Sequence, residues 1–126
     1  MVELLDLKKH WDNVAEEIQN RQSNYNLVGY DSVLDSYIRK RFEKVFRKLN
    51  IFENSIIEIG SGVGANLVIC EEKGSKRIIA CDISKKLLKI TKARFKEKRN
   101  FEFILIDGKN IPLKDEEIDS SFTVTV

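Results

Sequence analysis

Apolar residues in the first part of the chain recur every three or four positions. Leu4, Leu7, Trp11, Val14, Ala15 and Ile18 fall on one face at that spacing, which predicts an amphipathic helix. The polar run RQSNYN interrupts the pattern. Asp31 or Ser32 then supplies an N-cap for a second helix, striped by Val33, Leu34, Tyr37, Ile38, Phe42, Val45, Phe46 and Leu49 and stopped near Asn50. From residue 51 the period changes. Short β-branched runs alternate with helical stretches: IIEI, a glycine-rich turn and helix, RIIACD, a lysine-rich helix, FEFILID, a loop, and SFTVTV. Alternation of this kind means right-handed βαβ units and a parallel sheet. The expected class is α/β, a parallel sheet with helices on both faces, preceded by two N-terminal helices. The chain divides into a helical segment, 1–50, expected to act as a lid, and a ligand-binding α/β portion, 51–126. Near-continuous apolar runs such as Ile78 to Cys81 and Phe103 to Ile106 suit strands covered on both sides.

At 126 residues the chain is one small domain, short for a unit that holds both a cofactor and a substrate. A hydrophobic content of 42% and a charged content of 33% are those of a folded globular protein. A net charge of +2 is too small to argue for nucleic acid or an anionic membrane. There is no long apolar run, and charges fill the N-terminal stretch where a secretory core would lie, so a cytoplasmic protein without a membrane partner is expected. Cys70, Cys81 and the single His10 have neither disulfide nor zinc-ligand spacing, and no metal site is expected.

The stretch SIIEIGSGVGANL carries the chemistry. A strand ends at Glu58-Ile59, and Gly60, Ser61, Gly62 and Gly64 lead into a helix. Glycines here permit positive φ and close approach of a ligand to the backbone, while free N–H groups at the helix start receive an anionic group. Gly60, Gly62 and Ala65 also satisfy the dinucleotide fingerprint, with Asp82 near the distance at which an acid would hold the ribose of NAD. Glu58 separates the two readings. A carboxylate just before the loop opposes a pyrophosphate by several kcal/mol in a partly desolvated crevice. It favours S-adenosylmethionine, whose sulfonium and ammonium outweigh its one carboxylate. The second strand ends at Asp82, which can accept both ribose hydroxyls, and Ile83 can pack on the adenine. The third ends at Asp107-Gly108, where a carboxylate can accept the adenine amine. Taken singly, each acid is equally readable as a turn residue or helix cap.

With those residues the sequence resembles the class I, Rossmann-like methyltransferases, in particular small methyltransferases whose first motif reads acid-x-Gly-x-Gly-x-Gly. IIEIGSGVGANL is similar to that motif, and IIACDIS to the ribose motif. Ile111-Pro112-Leu113, Asp115 and Ile118-Asp119 are similar to the family's "LPF-x-D-x-x-F-D" approach to strand four, and HWDNVAEEI more loosely to its lid helix. The resemblance implies that Glu58 meets the amino group of S-adenosylmethionine directly or through water, and that Gly60, Ser61 and Gly62 run along its methionine part. Asp82 would hold the ribose, Ile83 and Gly108 would flank the adenine, and Asp107 would bind its amine. Ser61 stands where the family commonly has Cys or Thr.

Between Ser84 and Asn100 eight basic residues face a single acid, Glu97. Such a stripe suits a polyanion, but it equally forms the solvated face of a helix whose inner side is Leu87, Leu88, Ile90, Ala93 and Phe95, so nucleic acid is not the favoured partner. In the resembled family, acceptor-facing residues follow strand four, inside which this sequence stops. The sheet is therefore expected to be truncated after strand four, with no catalytic residue assigned and a small-molecule methyl acceptor favoured. Self-association through Ser121 to Val126, or a complementing C-terminal chain, is expected to cover the exposed edge. A methyltransferase portion, a non-catalytic methyltransferase-like binding module and an NAD-dependent oxidoreductase remain as readings.

Overall fold

The computed structural model describes residues 3–20 and 33–124. Its elements run α1 (Glu3–Asn20), α2 (Val33–Phe46), β1 (Ser55–Ile59), α3 (Ala65–Glu72), β2 (Arg77–Asp82), α4 (Lys85–Arg94), β3 (Phe101–Leu105) and β4 (Ser120–Phe122). The strands form one parallel sheet in the order β3-β2-β1-β4. The candidate caps Asp31 and Ser32 of α2 and the last residues of the SFTVTV run lie outside the described residues.

Strand register sorts the side chains into two faces. Ile56, Ile78 and Phe101 stand side by side, as do Glu58, Ala80 and Phe103. The first face buries Ile56, Ile78, Ala80 and Phe101 against Leu67 and Cys70 of α3 and Leu88 and Phe95 at the end of α4. Phe46 of α2 reaches the same side, its ring 5.2 Å from that of Phe122. The opposite face carries Ile57, Ile79 and Cys81, packed against Ile104, Ile106, Leu113 and Ile118. The α/β class and the two preceding helices are as expected. Among the described residues α3 and α4 cover the first face, with Phe46 of α2 at its edge, and the segment leading to β4 packs on the other. Two right-handed crossovers that step in the same direction, β1 to β2 and β2 to β3, must lay their helices on the same side.

The segment before β4 is anchored by its acid. Asp119 Oδ2 accepts from the backbone N–H and hydroxyl of Ser55 at 3.0 and 2.9 Å, and the Asp119 N–H donates back to the Ser55 hydroxyl at 2.8 Å. That exchange ties the start of β4 to the start of β1, the strand it pairs with.

The apolar stripe of α2 is a departure from expectation. Only Phe46 of it is buried, whereas Val33 is 89% exposed and Leu34, Tyr37, Ile38, Val45 and Leu49 all face outward. Periodicity shows that a helix has an apolar face; it does not show that the described residues supply the surface that covers it. In α4, Ala93 is exposed and Thr91 takes an inward place instead. None of the helices among the described residues is long and apolar enough to cross a membrane.

Candidate functional site

The site forms where β1 and β2 end. Beyond Ile59 the chain makes a tight passage through Gly60, Ser61, Gly62 and Gly64, with Gly60 and Ser61 both donating N–H bonds to the Cys81 carbonyl at 2.9 and 3.0 Å. Gly62 has φ 58°, and a Cβ there would meet nothing within 4 Å, so its glycine serves the backbone conformation and leaves the surface in front of it open. Gly64 is different. It starts α3 at φ 81°, and a Cβ would come within 2.8 Å of the Phe95 ring and 2.9 Å of Thr91 Cγ2.

A cleft of about 510 Å³ opens over this loop, lined by Gly60, Gly62, Asp82, Ile83, Ile106 and Gly108, and roofed from α1 by Leu7, His10 and Trp11. Thr123 and Leu87 complete its wall. The structure thus brings Gly60, Gly62, Asp82, Ile83 and Gly108 around one space.

Asp82 is buried, and its two oxygens have distinct partners. Oδ2 accepts the Gly62 N–H at 2.9 Å, and Oδ1 accepts the Ser84 N–H at 2.9 Å. Burial pushes its pKa above the usual aspartate value, while those backbone donors pull it back down. Ser84 is the N-cap of α4, its hydroxyl accepting the Leu87 N–H and donating to Asp12 of α1. A Lys86–Glu16 ion pair and the packing of Ala15 and Ile18 on Leu87 and Val63 hold α1 against α4 and the glycine loop.

Glu58 and Ser61 lie one layer beneath the cleft. Glu58 is 2% exposed; Asn66 of α3 donates to its Oε2 at 2.8 Å, and Oε1 has no partner among the described residues. Ser61 Oγ and Asn66 Oδ1 are likewise buried without a partner. Burial pushes the Glu58 carboxyl up to about 8; the Asn66 bond and the Arg39 charge work against this, and Asp82 adds to it. Around neutral pH this burial favours the protonated form of Glu58. This corrects the simple charge argument: a protonated Glu58 does not repel a pyrophosphate by several kcal/mol.

Asp107 stands apart, fully exposed at the end of the β3 segment. Its Oδ1 accepts the N–H groups of Asn110 and Lys109 at 2.8 Å each, and these bonds hold its pKa below the usual carboxylate range. That is the turn role an acid before glycine commonly takes.

Sequence reasoning gave His10 and Trp11 only as part of the HWDNVAEEI lid helix, not as site residues, and passed over Thr91. The signal for the first two was present in the i, i+4 pair Leu7 and Trp11, but the same stripe continues into Ala15 and Ile18, which pack on α4. Among the described residues no cluster of His, Cys, Asp or Glu is arranged to hold a metal ion.

Buried polar atoms without a partner among the described residues, next to an open glycine loop and a strand-end carboxylate, suit a ligand that brings hydrogen-bonding groups and a positive charge. S-adenosylmethionine has an ammonium and a ribose diol to offer. The comparisons with known proteins agree. A family model described as a methyltransferase domain matches residues 57–126, more than half of the chain. No curated protein matches the sequence. Among solved structures, a SAM-dependent methyltransferase from Aquifex aeolicus matches at TM-score 0.63 and 20% identity, over 86% of this chain and 55% of that one. Phosphoethanolamine N-methyltransferase 1 of Haemonchus contortus, in complex with phosphoethanolamine and S-adenosylhomocysteine, matches at TM-score 0.67 and 13% identity, over 97% and 26%. Geranyl diphosphate C-methyltransferase from Streptomyces coelicolor A3(2) matches at TM-score 0.65 and 11% identity, over 98% and 54%. At these identities the likeness is one of fold, and the chain spans roughly half or less of the length of each structure. The chain belongs to the methyltransferase-domain family, whose members carry the Rossmann-like fold described above and use S-adenosyl-L-methionine.

Proposed function

We propose that this chain is the cofactor-binding portion of a cytoplasmic S-adenosylmethionine-dependent methyltransferase acting on a small-molecule acceptor. The observation that carries the reading is the convergence of Gly60, Gly62, Asp82, Ile83 and Gly108 on one cleft, above a buried Glu58 with an unpartnered oxygen. In this reading 51–126 holds the cofactor, and 1–50 forms the lid over it. Glu58 receives the amino group, and the backbone of Gly60 to Gly62, with Ser61 beneath it, follows the methionine chain. Asp82 accepts the ribose hydroxyls, Ile83 and Gly108 flank the adenine, and Asp107 accepts its amine.

Bound there, the cofactor supplies a methyl group already activated on a sulfonium. The chain's own contribution is alignment and exclusion of water, since an in-line displacement needs little else. Leu7, Trp11, Ile59 and Ile106 make the walls largely apolar, which suits a small-molecule acceptor over a polyanion. None of the basic residues of α4 or just beyond it lines that space: Lys92, Lys96 and Lys98 are exposed, Lys86 pairs with Glu16 of α1, and Arg94 donates to the Val63 carbonyl of the glycine loop at 3.3 Å. No catalytic base is assigned. Self-association, or a complementing chain, would cover the outward apolar face of α2 and the free edge of β4. A non-catalytic binding module would use the same cleft without an acceptor.

Trp11 is the only tryptophan in the chain and roofs the cleft, so it reports occupancy directly. Titration with S-adenosylhomocysteine is expected to change its fluorescence saturably. Binding detected by calorimetry with no change at Trp11 would put the cofactor outside this cleft.

A further inference from the structure

Thr91 is wholly buried in the middle of a helix whose other polar residues are mostly exposed. Its Oγ1 lies 2.8 Å from the Gly62 carbonyl oxygen and 3.0 Å from that of Leu87, one turn back. A threonine hydroxyl in a helix normally rests on the carbonyl four residues earlier. Here the shorter contact leaves the helix and reaches the glycine loop, and a hydroxyl has one proton to give.

Gly62 is thereby fastened from two elements. Its N–H goes to Asp82 at the end of β2, and its C=O receives the hydroxyl of α4. Because the Gly62–Val63 peptide is planar and trans, turning its C=O toward α4 turns its N–H the opposite way. One hydroxyl therefore orients the whole peptide. The Thr91 methyl has a separate task, closing the space beside Gly64, where an added Cβ would lie 2.9 Å from it.

We infer that Thr91 is a positioning residue for the cofactor loop: its hydroxyl holds the Gly62–Val63 peptide in the conformation that the bound ligand meets. The inference rests on the cofactor reading above and adds to it a residue remote from the ligand. It divides the side chain into a hydroxyl that sets the loop and a methyl that supports packing, and the two are separable.

Thr91→Val keeps the branched shape and loses the hydroxyl; Thr91→Ser keeps the hydroxyl and loses the methyl. In the ligand-free chain, backbone amide exchange at Gly62 and Gly64 is expected to quicken about three- to tenfold in Thr91→Val, the loss of one neutral hydrogen bond. In Thr91→Ser it stays near wild type, although the melting temperature falls. The affinity for S-adenosylhomocysteine follows the same order, about three- to tenfold weaker in the valine variant and retained in the serine variant. Equal exchange in all three proteins, or affinities that follow melting temperature instead of the hydroxyl, would overturn the inference. If the wild type binds no S-adenosylhomocysteine, the cofactor reading fails, and the exchange comparison still decides whether Thr91 sets the loop.

Discussion

Asp82→Ala is expected to weaken S-adenosylhomocysteine binding about 100-fold, the largest effect of any single substitution in the site. The proposed ribose contact is charge-assisted, and a hydrogen bond to a charged group contributes about 1.5–3 kcal/mol. The same carboxylate also accepts the N–H groups of Gly62 and Ser84, so its loss frees the glycine loop and the start of α4 together. These effects are coupled and do not add, which sets the expectation near 100-fold rather than at the sum. Asp82→Asn is expected to be nearly as damaging. Two backbone donors face the two carboxylate oxygens, and an amide offers only one acceptor and turns an NH2 on the other donor. Calorimetry showing wild-type affinity in the alanine variant would place the ribose elsewhere.

The second large effect is a dependence on pH set by Glu58. Burial raises this carboxyl from 4.5 to about 8, so between those values the folded chain carries a proton that the unfolded chain has lost. Stability from this group is therefore fully present below about pH 4.5 and is lost as the pH rises through about 8. Glu58→Gln keeps the shape and cannot ionise, so the empty variant is expected to melt higher than wild type at pH 8. Binding runs the other way. An ammonium is held by the ionised carboxylate, so below the shifted pKa each bound cofactor displaces a proton. Affinity for S-adenosylhomocysteine is expected to fall by up to about tenfold per pH unit from pH 8 to pH 6. Other groups near Glu58 temper this: Arg39 from α2 eases its ionisation, Asp82 from β2 opposes it, and Asn66 of α3 hydrogen-bonds it. In Glu58→Gln the slope is expected to vanish and binding at pH 8 to weaken. A wild-type affinity that is flat from pH 6 to pH 8, or an equal slope in the glutamine variant, would show that Glu58 does not meet the ammonium.

If Glu58 meets the ammonium as proposed, fold and ligand make opposite demands on it: the neutral form costs the core little, whereas the bound cation would make burial of the charge tolerable.

The sheet and the loop were legible because their signals are local. β-branched runs ending in Glu58, Asp82 and Asp107, and glycines at the positions that need positive φ, specify strands and a turn without reference to the rest of the molecule. What escaped depends on packing. The charge state of Glu58 follows from its burial beneath α3, and an acid in a sequence reads as a carboxylate. Thr91 reads as a weak helix former in a lysine-rich stretch until the chain is folded and Gly62 stands above it. The stripe of α2 was visible as a pattern, but which surface it meets is a property of whatever packs beside it, and Val33 and Leu34 face outward here. Asp107 was found at its strand end, yet only the structure shows one of its oxygens already committed to the turn that follows.

The central claim is that this cleft selects a ribose-bearing ligand with an ammonium group over a dinucleotide, and its most direct test is calorimetry of the wild-type chain with S-adenosylhomocysteine and NAD side by side at pH 8. The account predicts saturable one-to-one binding of S-adenosylhomocysteine and none of NAD at matched concentration; tighter binding of NAD, or a folded chain that binds neither, would contradict it.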